Sequence, residues 1–293
     1  MRVLVIGATG VLGRPAVTRL LAGGHEVSGL ASAASRVPAV SATGARPVEG
    51  DLFSADSLVA ALRGHDAVVN LATRIPAKVT SKAAWALNDQ VRRAGSAALA
   101  AAVRQVEEVR ILVQEGISFV YADGGSALLT EEAPLRPGLV TASSVEAHSN
   151  VAALTDRTVV RLRIGTLLGP DPMTSALLAA ARRGGPLIMG ARTDWTTAIH
   201  PSDAAAAAVA ALEAPSGVYN VGAPPLLKAD LGAAMAAAAG VRRARALPKW
   251  LVSRIPLAEP MGRSQRVDST KLVDATGWKC ERPVPGPDWF TED

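Results

Sequence analysis

Near its start the chain reads Arg2-Val-Leu-Val-Ile-Gly-Ala-Thr-Gly-Val-Leu-Gly-Arg14. A short apolar run meets Gly7, Gly10 and Gly13, and an amphipathic helical pattern follows. In such a strand–turn–helix the first glycine allows a tight turn. The second lets the backbone approach a pyrophosphate, and the third lets the helix pack on the sheet. The helix N-terminus then offers N–H groups and a positive dipole end to phosphates. An incidental glycine-rich turn explains the pattern less well, because this one sits between a strand and a helix.

Strand signals recur at Val3–Ile6, Glu26–Leu30, around Pro47–Val48, Ala67–Leu71, Arg110–Val113 and Thr158–Leu162, with helical segments between them. That alternation predicts an α/β chain with a doubly wound parallel sheet of Rossmann type. Ser81–Val103 carries one long helical pattern. Further on, Ser202 or Asp203 is the expected N-cap of the helix over 204–212. Gly217–Gly222 reads as a short strand, and Leu231–Ala239 as an Ala-rich helix stopped by Gly240. The Pro-rich segment from Pro283 is expected to wrap the surface. Residues 1–166 are expected to form a dinucleotide-binding domain to which 196–222 returns, and 167–293 mainly a smaller substrate lobe.

Composition narrows the function. The 293 residues are 49% hydrophobic but only 3% aromatic, with a net charge of +5. Arginines supply most of that charge and are scattered. The one short basic run, Arg242, Arg243 and Arg245, reads as a solvated loop. A nucleic-acid surface would need a basic stripe with stacking aromatics, and none is visible. No apolar run approaches the roughly 20 residues that span a bilayer. The single cysteine, Cys280, forbids an internal disulfide and suits a cytoplasmic protein. The four histidines and this cysteine show no metal-ligand spacing. The expected partner is therefore a small-molecule substrate, with no nucleic acid, metal or membrane, and a homodimer is left open.

The Gly7–Gly13 spacing, Gly50-Asp51-Leu52 and Asn70-Leu71-Ala72 together resemble the short-chain dehydrogenase/reductase superfamily, in its extended or atypical branch, the NAD-dependent epimerase/dehydratase family. Tyr121, Gly169-Pro170, His200-Pro-Ser-Asp203, Tyr219-Asn220-Val221 and Thr276-Gly277-Trp278 follow in the order of that family over nearly the whole chain. The resemblance implies a bound NAD or NADP. Gly7, Thr9, Gly10, Val11, Leu12 and Gly13 would hold its pyrophosphate. Asp51 and Leu52 would flank the adenine, and Leu71, Ala72 and Thr73 would line the ribose and nicotinamide side. At the end of the second strand an acidic residue would mark NAD and an arginine NADP. Neither stands there. Ser32 and Arg36 just beyond, with Arg14 after the third glycine, tilt the reading toward NADP. The same weak marking would suit a cofactor that is structural, or absent.

The resemblance also implies a Tyr-x-x-x-Lys pair with an upstream Ser or Thr, and here the chain departs. Position 125, four after Tyr121, is Gly, and position 223, four after Tyr219, is Ala. No lysine occurs between Lys82 and Lys228. The upstream hydroxyl position falls on or beside Gly116. Ser118 shares that face if the strand continues so far. The region expected to carry the tyrosine reads Pro137 to His148 and offers Thr141, Ser143, Ser144, Glu146 and His148. These are either ordinary polar residues on a helix that has lost its catalytic role, or a relocated acid–base site. Glu146 would serve as a base if desolvated, and His200 at a strand end is a further candidate. Trp195 and Trp85 are either core or a cover for an apolar substrate.

Three functions stay open on the sequence. One is a tailoring enzyme that reduces, epimerises or dehydrates an apolar or aromatic metabolite with NAD(P). The second is a non-redox cyclase, dehydratase or isomerase on the same scaffold. The third is a nucleotide-sensing binding protein.

Overall fold

The computed structural model describes residues 1–76 and 82–290. Seven parallel strands form one sheet: β1 (Arg2–Ile6), β2 (Glu26–Ala31), β3 (Arg46–Glu49), β4 (Ala67–Asn70), β5 (Ile111–Gln114), β6 (Thr158–Ile164) and β7 (Gly217–Val221). Their spatial order is β7-β6-β5-β4-β1-β2-β3. Every strand foreseen in the first half is present, within a residue or two of its expected ends. The central strands are apolar on both faces, as a parallel sheet covered on both sides requires. Val3, Leu4, Val5, Val68, Val69, Leu112 and Val113 are fully buried.

Helices cover both faces. On one face lie α1 (Gly13–Ala22) and, much later in the chain, α7 (Pro201–Ala210). Ala16, Val17 and Leu20 of α1 and Ala204, Ala205, Ala207 and Ala208 of α7 share a core with Val3, Val5, Val160 and Leu162. On the other face lie α2 (Ala55–Leu62), α4 (Ser96–Gln105) and α5 (Ala142–Ala152), which bury Leu58, Leu99, Val103 and Val151 against Leu4, Val68 and Leu112. Before α4 comes α3 (Lys82–Gln90). The pattern over 81–103 reads as one helix, but Val91–Gly95 is a π-helical turn between α3 and α4. That wider turn buries Arg92, and Gly95 lies against Leu52, where a Cβ would come within 2.9 Å of its side chain.

The remainder is built from short strand pairs and helices, the two longest being α6 (Pro172–Arg182) and α8 (Lys228–Ala239). Gly240 ends α8 in the left-handed conformation, φ 67°, as foreseen. Leu168, Leu178, Met235 and Ala239 make a third core, and Trp289 from the C-terminal segment is fully buried in it. The tail thus does more than wrap the surface. The N-cap of α7 is His200, not Ser202 or Asp203. Pro201 takes the first helical position, which suits its fixed φ and missing N–H. Asp203 is instead fully buried and accepts the backbone N–H groups of Glu281 (2.9 Å) and Arg282 (3.0 Å), fastening the tail.

Among the described residues, no helix is long and apolar enough to cross a membrane.

Candidate active site at the carboxyl ends of the sheet

The strand order reverses between β1 and β4, which opens a crevice at their carboxyl ends, the usual ligand position in such sheets. Register places Ile6 beside Asn70, so the glycine turn after β1 meets the segment after β4. Gly7 has φ +87°, and a Cβ there would lie 2.9 Å from the Ala72 backbone nitrogen. A Cβ on Gly13 would lie 2.0 Å from the Gly7 carbonyl oxygen, so only glycine lets α1 start this close to β1. A Cβ on Gly10 would meet only that carbonyl, at 3.2 Å, with open space beyond it. The N-cap of α1, Leu12, supplies no side-chain cap, and no acidic residue stands in the first turn. Thr9 contributes its carbonyl to the Arg14 guanidinium (3.1 Å), and Val11 is exposed. A bare, electropositive helix start in a glycine cradle fits a pyrophosphate.

The flanks fit as well. Asn70 is buried; its side-chain oxygen accepts from the Ala72 N–H (3.2 Å), and its amide donates to Gln114 (2.9 Å). It thereby fixes the Leu71–Thr73 wall, of which Leu71 is buried and Ala72 and Thr73 half-buried. Asp51 is exposed and its carboxylate turns back on the Phe53 N–H (2.9 Å), while Leu52 is buried beside it. Ser32 and Arg36 are exposed beyond β2. Asn88 accepts from the Arg74 N–H at 2.9 Å and ties the same wall to α3.

The proton-transfer candidates are dispersed. β5 stops at Gln114, so Ser118 does not share its face; it opens a short 3₁₀ turn and is buried. The Ser144 hydroxyl accepts from the Ile117 N–H (3.2 Å). The Ser143 hydroxyl is buried with no hydrogen-bond partner among the described residues. Glu146 points outward, its side chain 50% exposed, and pairs with Arg93 at 2.6 Å. The desolvation that a glutamate base would need is absent there. His148 is on the buried face of α5. Burial, with Arg163, Arg161 and Arg92 nearby, pushes its pKa down to about 3 and keeps the imidazole neutral. Gly116 makes room for it, since a Cβ there would lie 2.3 Å from His148 Nε2. His200 caps α7, its Nδ1 accepting from the Ser202 N–H (3.3 Å), with its ring edge-on to Trp289. Trp85 is buried, and the half-buried Trp195 ring carries the Arg266 guanidinium at 4.6 Å.

Two groups at this site take partners that the sequence does not announce. Glu115, directly after β5, forms a two-point ion pair with Arg92 of the π turn, both bonds 3.0 Å and both side chains at most 3% exposed. Tyr121 is fully buried; its hydroxyl donates to Asn220 and accepts from Arg163, each at 2.7 Å. Burial raises the Tyr121 pKa, against the opposing pull of Arg163. It ties the segment after β5 to β6 and β7 and is turned away from proton donation. No cluster of three or more metal-ligating side chains occurs among the described residues.

The sequence model of the NAD dependent epimerase/dehydratase family matches residues 3–222. The chain belongs to that family. A 3-diazoavenalumate denitrifying reductase from a Streptomyces species is 32% identical over 97% of both chains. Among solved structures, UDP-glucose 4-epimerase from Thermus thermophilus, in complex with NAD, is 25% identical, with a TM-score of 0.75 over 99% of this chain and 97% of that one. A human epimerase family protein with NADPH shares the fold at 24% identity, with a TM-score of 0.80 over 98% and 97% of the two chains. As a member of the epimerase/dehydratase family the protein is an enzyme of the short-chain dehydrogenase/reductase type with a nicotinamide cofactor. The cradle at Gly7–Gly13 and the wall at Leu71–Thr73 are the residues that fit it.

Proposed function

We propose that this epimerase/dehydratase family member is an NADPH-preferring reductase of an electron-poor, apolar or aromatic small molecule, whose reduction needs no positioned proton donor. One contrast carries the reading: the cofactor cradle is intact, while the carboxylates, imidazoles and phenol near it are committed elsewhere. Glu115 is locked to Arg92, Glu146 faces solvent with Arg93, and His148 is held neutral on the buried face of α5. His200 caps a helix and Tyr121 is sealed between Asn220 and Arg163. Epimerisation and dehydration of an alcohol both need a base or acid at the reacting carbon or oxygen. Without one, roughly 10²–10⁴ in rate is lost.

Reduction of a group that departs on its own avoids that need. When bound, a reduced nicotinamide would supply hydride, which on an aryl diazonium would give the arene and dinitrogen with no oxyanion to protonate. The similarity to a diazo-substrate reductase supports this class. The chain's own part is to bind and orient. Asn70 fixes the wall at Ala72, the Arg92–Glu115 pair stiffens the floor after β5, and Leu71 keeps water from the reacting face. The exposed Arg36 and Ser32 favour a ribose 2′-phosphate over a bare 2′-hydroxyl.

The test is a titration with NADPH and NADH followed by nicotinamide fluorescence, then turnover of an aryl diazonium acid. NADPH is expected to bind more tightly, and dinitrogen release to match NADPH consumed, above the protein-free rate. Binding without turnover of diazonium, ketone or enone probes would favour a nucleotide sensor. No binding of either dinucleotide at millimolar levels would sink the reductase reading.

A further inference from the structure

We propose that a cavity between α5 and the β6–β7 edge of the sheet binds the carboxylate of a small organic acid, held by Arg161 and Arg163. The cavity measures about 150 Å³. Its polar wall is Arg161, Arg163, Ser144, His148 and Ser149, and Ile117 and Val218 contribute to an apolar wall. The two arginines stand two residues apart on one strand, so they share a face, while Val160, Leu162 and Ile164 pack into the core on the other.

The charges there are unbalanced. Among the described residues neither arginine has a carboxylate within ion-pair distance. Arg163 donates to the Tyr121 hydroxyl (2.7 Å) and the Glu131 carbonyl (2.9 Å). The nearby Glu131 carboxylate is spent on the Asn220 N–H (2.7 Å). Arg161 Nε is buried with no hydrogen-bond partner among the described residues, and so is His148 Nε2 of the 7%-exposed histidine. Burial and the neighbouring Arg163 lower the Arg161 pKa. Two like charges and an orphaned donor in a partly dry cavity are costly unless an anion joins them. A guanidinium fork matches a carboxylate in two-point geometry. The apolar wall selects an organic acid over an inorganic anion.

This site is separate from the glycine cradle. β6 lies three strands from β1 in the sheet order, roughly 14 Å at the usual strand spacing. The cavity is under α5, and α1 covers the opposite face. The proposal therefore stands independently of the reductase reading.

The experiment is calorimetric titration of NADP-saturated protein with benzoate, and separately with inorganic phosphate, at fixed ionic strength. Benzoate is expected to bind saturably and more tightly than phosphate. Arg161→Gln is expected to weaken it at least tenfold. Val145→Trp, from the half-buried α5 wall, should fill the cavity and do the same. An unchanged circular-dichroism spectrum and cooperative thermal melt show that each variant is folded. Loss of benzoate binding in either folded variant supports the site. No saturable binding to the parent protein, or benzoate affinity unaltered in both variants, overturns it. Phosphate binding as tight as benzoate overturns the assignment to an organic acid.

Discussion

Gly13 sits where a single methyl group would drive α1 away from β1. Gly13→Ala places a Cβ against the Gly7 carbonyl and the Ala8 backbone, neither of which can rotate aside. It is expected to cost about 3 kcal/mol, the upper end for overpacking, and to abolish NADPH binding. Thermal melting and the fluorescence titration check both. His148 offers a second test. Unfolded, its imidazole titrates near 6.5; folded, at about 3. Between those values the unfolded chain binds a proton that the native state refuses, so stability falls as pH drops below about 6.5. The slope from this group is up to about 1.4 kcal/mol per pH unit. His148→Gln is expected to flatten urea stability against pH between 6.5 and 3 relative to the parent. Identical slopes would mean that the imidazole is not the source. At this scale the glycines are legible in sequence because backbone geometry demands them. The fate of Glu146 and His148 is not, since two residues on one helix differ only in which side faces the sheet.

The element that departs most from its sequence pattern is the helix over 81–103. Its apolar periodicity is continuous, so nothing in it announces the π turn at Val91–Gly95. The extra residue in that turn delivers Arg92 to Glu115 beneath the crevice. Breaking a buried pair leaves an uncompensated charge, whereas removing both partners can be nearly neutral. Glu115→Ala is therefore expected to destabilise by about 3–5 kcal/mol, and the Arg92→Leu, Glu115→Leu double variant to recover most of it. Chemical denaturation of the two variants measures the difference; equal losses would mean that the pair is not the source of the cost. The N-cap of α7 teaches a similar lesson on a smaller scale. Asp203 looks like a cap by type, but full burial and two backbone donors from the tail make it a clasp.

Across the whole molecule, the C-terminal segment closes the core between α6 and α8. Trp289 is fully buried with Leu178, Met235 and Ala239, and Asp203 holds the chain just before it. Trp289→Ala is expected to cost about 3–5 kcal/mol, seen as a lowered melting temperature with the NADPH affinity retained, because the cradle at Gly7–Gly13 packs on a different core. Nothing in the Pro-rich sequence after Pro283 distinguishes a plug from a surface strap. The difference is made by a pocket whose walls, Leu168, Leu178, Met235 and Ala239, come from segments far earlier in the chain.

Local rules determined the strand–turn–helix at Gly7–Gly13 and the segments that become strands, because each depends on neighbours a few residues apart. Tertiary structure alone decided which polar side chains were left with work to do. Glu115 found Arg92, Glu146 found Arg93, and Arg161 and Arg163 found no carboxylate among the described residues. Partnership and burial belong to distances between segments far apart in the chain, and a sequence does not contain those distances.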